Sequence, residues 1–308
     1  MARSSILTTA FTNWLLDRWP STGPQARRLF HGRGRTFVGL EHLTIDWYPP
    51  LLLITSHQPL VAEQLDELLR ALDHAAPGRI ETVILQRRQQ QPPRLEILRG
   101  NLPDRPVARE AGLVYPLLLN QGVNHGFFLD MAGGRQWLRQ YSRGKKVLNL
   151  FAYTCSLSVA ALAGDAAQVV NLDMNKSALA VGRTAHQLNR LDDRRVSFLA
   201  HDLFKSFGKL EQLGPFELVI IDPPAAQGRS FRADKDWPRI LRRLPRLARP
   251  GADILACVSA PELGSNFLKH QFTEHLPEAA LLTELNAGED FPEHDPDKGW
   301  HLLHYRMT

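Results

Sequence analysis

From Lys145 to the carboxyl terminus the chain alternates short apolar runs with amphipathic ones. That alternation constrains the fold more than any other feature. KKVLNLFAY, AQVVNLDMN, RVSFLAHDLF, ELVIIDPP and ADILACVSA read as strands. SLSVAALAGD, KSALAVGRTAHQLNRL, PRILRRLPRLA and PELGSNFLKHQFTEHL, spaced among them, read as helices. Strands interleaved with helices form a mostly parallel sheet wound on both faces. The last two apolar runs, ALLTELNAG and WHLLHYRM, read as an antiparallel strand pair closing that sheet. The expected fold class is therefore α/β, doubly wound. In open sheets of this kind ligands bind beyond the carboxyl ends of the strands, so the strand ends are where function should be sought.

The first strand ends in LNLFAYTCS, without the G-x-G-x-x-G that would cradle a dinucleotide pyrophosphate. That argues against a nicotinamide or flavin enzyme. Asn149, Phe151, Tyr153 and Thr154 either line a pocket for a less anionic ligand or form an ordinary strand-to-helix turn. The second strand ends at Asp173-Met174. A carboxylate there can accept from both hydroxyls of a ribose, or it can cap the helix that begins near Lys176. The third ends at Asp202-Leu203, where the acid can accept from an adenine amino group. The fourth ends at Asp222-Pro223-Pro224. The prolines cannot donate to a sheet ladder, so they stop the strand and also fix the direction of the chain beside a carboxylate. Four strands with three terminal acids in register are more than turns alone require.

In this order and spacing, NLFAYTCSLSVAAL, VVNLDMN, HDLF and IDPP resemble the motifs of class I S-adenosylmethionine (SAM)-dependent methyltransferases. The chain is most similar to the bacterial large-subunit (23S) ribosomal RNA methyltransferase family of RlmI and RlmK. GFFLDM at 126–131 and RLFHGRGRTFVGLEHLTIDWY at 28–48 extend the likeness over 28–308. The resemblance implies a Rossmann-like catalytic sheet, SAM as cofactor and RNA, large-subunit ribosomal RNA above all, as partner. It implies that Asp173 holds the ribose hydroxyls of the cofactor and Asp202 the adenine, with Met174 and Leu203 also in the cofactor site. Asn149, Phe151, Tyr153 and Thr154 would border the methionine moiety, and Phe128 and Asp130 would close the site. Asp222, Pro223 and Pro224 would sit beside the methyl group and present a carboxylate or a backbone carbonyl to the target base.

The chain departs from these relatives at four places. Cys155 stands where they carry a glycine; a buried thiol in an ordinary backbone conformation is expected, since a positive φ would cost stability. Ala132 replaces an arginine. Ala225 and Ala226 follow the prolines where an aromatic residue would stack on a base. The RNA-binding PUA domain of the cytosine-C5 enzyme has no expected counterpart ahead of residue 28. Cytosine-C5 chemistry needs a thiolate to add to the ring. The available thiol is Cys257, two residues before the position of the relatives' thiol, which falls on Ser259. Cys257 reads as a core cysteine, so direct transfer to a base nitrogen fits better.

The first third reads as a small α+β domain: extended runs at 42–48 and 51–56, a helix at 60–75, then two more strands. The expected domains are a helical extension at 1–27, the small domain at 28–118 and the catalytic domain at 119–308. The net charge of +5 is compatible with a polyanionic partner. Basic residues cluster in RRLFHGRGR (27–35), read as a loop against a backbone, and at 229–249, which contains the helix PRILRRLPRLA. There Ile240, Leu241, Leu244 and Leu247 would face inward and Arg239, Arg242, Arg243 and Arg246 outward, as a solvated face or as phosphate contacts. No apolar run reaches membrane-span length, and two cysteines suit a reducing compartment, so a cytoplasmic protein is expected. Histidine spacing implies no metal site. The alternatives are methylation of a small molecule or protein, or SAM binding without turnover.

Overall fold

The computed structural model describes residues 9–19, 23–90, 92–119, 124–228, 230–258, 260 and 263–308. It divides into two compact units, Met1–Leu129 with Gly288–Asp295 and Asp130–Ala287 with Pro296–Thr308. The division falls after Leu129 rather than after residue 118. Gly288–Asp295, expected in the catalytic domain, belongs to the first unit. Ion pairs tie it there: Asp290 takes both Arg18 and Arg27, and Glu293 takes His31.

The first unit contains α1 (Thr9–Arg18), β1 (Arg27–His31), β2 (Leu43–Tyr48), β3 (Leu51–Ser56), α2 (Ala62–Ala75), β4 (Thr82–Arg87) and β5 (Arg94–Arg99), followed by a hairpin of β6 (Val107–Glu110) and β7 (Leu113–Pro116). The sheet order is β1-β2-β3-β4-β5, antiparallel except for β3–β4, which α2 links as a parallel crossover. One face of the sheet, with Ile45, Leu52 and Leu85, packs against Phe11 and Leu15 of α1 and Leu68 and Leu72 of α2. Each such side chain gains roughly 1.5–3 kcal/mol from burial. The basic stretch 27–35 is not a free loop. Its first half is β1, paired with β2, and its second half is a tight turn, Gly32–Gly34. A Cβ on Gly32 would lie 1.9 Å from the carbonyl oxygen of Leu40, so only glycine fits.

The second unit runs α3 (Ala132–Tyr141), β8 (Lys146–Leu150), α4 (Ser156–Ala163), β9 (Gln168–Asp173), α5 (Lys176–Leu188), β10 (Val196–Ala200), α6 (Phe207–Leu213), β11 (Phe216–Ile221), the two-residue strands β12 (Ala226–Gln227) and β13 (Phe231–Arg232), α7 (Ala233–Leu241), α8 (Leu244–Leu247), β14 (Ala248–Val258), α9 (Ser265–His275), β15 (Ala279–Asn286) and β16 (His301–Met307). The sheet order is β10-β9-β8-β11-β14-β16-β15. The first five strands are parallel, and β16 runs antiparallel to both β14 and β15. This is the doubly wound sheet, closed by a strand pair, that the alternation implies. Alternate residues of β11 serve opposite layers: Val219 and Ile221 face Trp237 and Ile240, and Leu218 and Ile220 face Leu138 and Ala160. Chain order reverses between β8 and β11, which puts the crevice at their carboxyl ends.

The single helix expected over PRILRRLPRLA, 238–248, is broken. Leu244-Pro245 opens a separate turn, because the Pro245 ring would clash with the carbonyl of Leu241 one turn back. Ala248 already belongs to β14. Ile240, Leu241, Leu244 and Leu247 are fully buried as the spacing requires. No helix among the described residues is long and apolar enough to cross a membrane.

Candidate active site

The carboxyl ends of β8, β9, β10 and β11 carry the residues singled out in the sequence. After β8 the chain passes through Phe151, Tyr153 and Cys155 with φ of 58°, 46° and 60°. The ordinary backbone expected at Cys155 is therefore not what the structure has. A non-glycine residue in the left-handed region costs on the order of 1 kcal/mol. Three such residues in five make this loop a strained one, held by its surroundings. Cys155 N–H donates to Ala152 O at 2.7 Å, and Ala152 N–H to Leu172 O at 3.0 Å. The thiol is fully buried above Gly182 of α5, where a Cβ would come within 2.6 Å of Sγ.

Asp173, 4% exposed, is bound on both oxygens by backbone: Tyr153 N–H to Oδ2 at 2.9 Å and Asn175 N–H to Oδ1 at 2.7 Å. It does not cap α5. That role belongs to Asn175, whose Oδ1 accepts from Ala178 N–H at 3.0 Å. The helix-cap alternative for Asp173 is thereby removed, and the carboxylate instead fastens the strained loop to the end of β9. Met174 beside it is exposed. Asp202 caps the short turn Leu203–Lys205 through Phe204 N–H at 2.8 Å and is half-exposed. Leu203 is buried in one cluster with Phe151 and Leu172. Thr154 is buried and Tyr153 half-buried.

Asn149 lies one layer deeper. Its Nδ2–H donates to Asn171 Oδ1 at 2.9 Å, and Asn171 Nδ2–H to Ser158 Oγ at 3.0 Å. Ser158 Oγ lies 2.9 Å from His186 Nε2, and His186 Nδ1 lies 2.7 Å from Gly182 O. A carbonyl only accepts, so Nδ1 carries the proton, Nε2 accepts and Ser158 donates. Burial lowers the His186 pKa and keeps it neutral. The chain of bonds therefore has one direction, and it pins the roots of the β8 and β9 loops to α4 and α5.

Asp222 ends β11. Removal from water and the nearby Asp130 charge push its pKa up to about 7, against a hydrogen bond from Cys257 and the charge of Arg135. Cys257, on β14, is fully buried, and burial together with the carboxylates Asp222 and Asp130 pushes its thiol well above the ordinary range. Ser259 lies outside the described residues. Pro223 is buried, whereas Pro224, Ala225 and Ala226 are exposed. The hairpin β12–β13 follows, and Gln227 Nε2 reaches to 3.5 Å from Asp173 Oδ1. Phe128 is exposed and lies in the first unit.

The arginines gather around two rings. Phe204, Phe207, Arg239, Arg242 and Arg243 line a cavity of about 230 Å³. The Arg239 guanidinium sits 3.6 Å over the Phe204 ring centroid and Arg243 5.4 Å from that of Phe207. Arg239 is paired with Asp236 at 2.8 Å; Arg243 and Arg246 share Glu211 at 3.8 Å each. Among the described residues the Arg242 guanidinium meets the His275 ring, at 3.3 Å, and no carboxylate. Phe204 stacks toward Phe231, which packs 4.9 Å from Phe151. A file of rings thus joins the cavity to the β8 loop.

A model of the S-adenosylmethionine-dependent methyltransferase family matches residues 27–306. The chain belongs to that family. It is 33% identical over 193 residues to a ribosomal RNA large subunit methyltransferase I of Aeromonas hydrophila, covering 60% of this chain and 49% of the relative. It thus spans about half the length of that enzyme. It is 29% identical over 279 residues to YwbD of Bacillus subtilis, which is assigned as a ribosomal RNA large subunit methyltransferase, covering 86% of this chain and 70% of the relative. Among solved structures, SMU.776, assigned as a methyltransferase and complexed with SAH, superposes with a TM-score of 0.87 at 24% identity, covering 100% of this chain and 83% of that one. That likeness establishes the fold.

SAM is the cofactor of this family, and the residues here suit it. A carboxylate has roughly four lone-pair directions, and Asp173 spends one per oxygen on backbone N–H groups. It keeps acceptor capacity for a vicinal diol while staying rigidly placed. Two further residues escaped the sequence reading. Arg135 is 1% exposed although charged, and its cation acts on Asp222. The signal was an arginine in the inward stripe of α3, one helical turn from Met131 and Leu138. Gln227 gave no sequence signal, because only the hairpin brings it to Asp173.

Proposed function

We propose that the protein transfers the methyl group of SAM to a base of RNA, with large-subunit ribosomal RNA as the substrate. What carries this reading is Asp173, a buried carboxylate at the crevice that is locked by two backbone donors and freed from helix capping. It would hold the ribose hydroxyls, with Met174 against the nucleoside. Asp202 and Leu203 would take the adenine edge and face. Phe151, Tyr153 and Thr154 would border the methionine end, and Asn149 would hold the root of their loop. Asp130, in the same unit, would flank the site.

The bound cofactor supplies an electrophilic methyl on a sulfonium. The chain's own part is to position the base and manage one proton. Pro223 and Pro224 would set the backbone beside the reacting nitrogen. Asp222, at about 7, is close to half-ionised at neutral pH, so it can accept a proton or a hydrogen bond from the base. Cys257 is held as a thiol that donates to Asp222. A thiol so placed is not a nucleophile at neutral pH, which favours direct transfer to nitrogen over addition to a cytosine ring. Arg239, Arg242, Arg243 and Arg246 would meet the phosphate backbone. A cytoplasmic location follows from that substrate.

The test is transfer from isotopically labelled SAM to ribosomal RNA from a strain lacking the protein, with nucleoside mass spectrometry of the product. A labelled N-methyl base, formed equally by a Cys257→Ala variant, is expected. Loss of transfer in that variant with SAM binding retained would overturn direct transfer. Absence of label in the wild type, with SAM bound, would overturn the RNA reading.

A further inference from the structure

The first unit carries a second cluster of basic groups that the reading above does not use. In its sheet Leu43 lies opposite Ser56, and Ser56 opposite Arg87. One step further, His42, His57 and Arg88 form a row across three adjacent strand ends. His57 N–H donates to His42 O at 2.9 Å and Arg88 N–H to Ser56 O at 2.8 Å. Residues directly opposite one another share a face. Alternation assigns this row to the face away from the core: Leu43, Ile45 and Ile54 turn inward, whereas Thr44, Asp46, Thr55 and Gln86 share the side of the row.

Two acids act on parts of this row, Asp46 on Arg88 and Glu41 on His42, and each already has a partner. Asp46 is held by Arg28, with Nη2 at 3.1 Å from Oδ2. Glu293 takes His31. Glu41 is bound by Gly39 N–H at 3.0 Å. Arg88 donates to the neutral Asn124 Oδ1 at 3.1 Å. Arg33, exposed on the turn after β1, adds a fourth basic group, and its charge acts on both His57 and Arg88. Among the described residues, the charges that lower the His57 pKa are those of Arg33, Arg88 and His42. Together with burial they push it down to about 4. Like charges gathered partly out of water are costly until an anion joins them. Two guanidinium groups and two imidazole edges offer the several directed N–H donors that a tetrahedral oxyanion accepts.

We propose that His42, His57 and Arg88, with Arg33, form a phosphate-binding site that holds a backbone phosphate of the RNA substrate. This rests on the RNA reading above; a free phosphate would satisfy the same chemistry. The test follows the His57 ring by NMR in the full chain, assigned with a His57→Asn variant. It is titrated with pH alone, with inorganic phosphate, and with a single-stranded RNA oligonucleotide at matched ionic strength, while RNA retention is measured in parallel. The site predicts that RNA raises the His57 pKa by about one unit or more. It predicts that Arg33→Gln, an exposed change, abolishes that rise and lowers the log–log salt slope of RNA binding by about one. A rise with phosphate but no RNA retention keeps an oxyanion site and overturns RNA as its occupant. RNA retained with His57 unmoved overturns the site and leaves the RNA reading standing.

Discussion

Replacing Asp222 with asparagine should make the protein more stable in mild alkali and less active. The side chain keeps its shape and loses its charge. In the folded state burial and Asp130 raise the Asp222 pKa from 3.8 to about 7. A raised carboxyl pKa means that the folded chain binds this proton more tightly than the unfolded chain does. Its stabilising contribution is complete below the unfolded pKa and is lost as pH rises through about 7. The span corresponds to about 4 kcal/mol at most. The variant cannot ionise, so it should match the wild type near about pH 4 and exceed it by up to that amount at about pH 8. Native-state amide exchange at Val219, Ile220 and Ile221, all fully buried in β11, reads the free energy of this unit directly. Methyl transfer should fall in the variant and lose its rise through neutral pH. An equal difference between variant and wild type at both pH values would refute the raised pKa and the proton-accepting role with it.

Gly182→Ala should destabilise the second unit by about 1–3 kcal/mol, because the new Cβ would meet Cys155 Sγ at 2.6 Å. Cys155→Gly in the same chain should restore most of that loss in a urea-unfolding double-mutant cycle; strict additivity would show that the contact is not the cause. Arg242, the cavity arginine that among the described residues meets the His275 ring rather than a carboxylate, should matter more for RNA than Arg249, which is bound to Glu217 at 2.8 Å. Arg242→Gln should lower the salt slope of RNA binding by about one, and Arg249→Gln should change it less; the reverse order would remove the cavity from the RNA path.

The strand ends were legible because a doubly wound sheet forces acids at the close of apolar runs toward one edge, and Asp173, Asp202 and Asp222 all lie there. What escaped depends on distant partners or on short elements. Cys155 carries no mark of its left-handed backbone, which is fixed by Ala152, Leu172 and the bare face of Gly182. The seven residues of α6 are too few to show a helical period, and the four-residue strands β6 and β7 too few to show alternation. The return of Gly288–Asp295 to the first unit rests on ion pairs to Arg18, Arg27 and His31, more than 250 positions away in the chain. The arginines between 239 and 246 were legible as an exposed face, but Asp236 and Glu211 beneath them were not.

The most direct test of the site is calorimetric titration of SAM into the wild type and an Asp173→Asn variant. The substitution keeps the size of the side chain, removes the charge that would grip the ribose and leaves one oxygen for the two backbone donors, so the comparison is made on a variant shown to be folded. The account predicts one site in the wild type and an affinity at least about tenfold weaker in the variant, the loss expected for a charged hydrogen-bond partner. Unchanged affinity in a folded variant would contradict the placement of the cofactor at the end of β9.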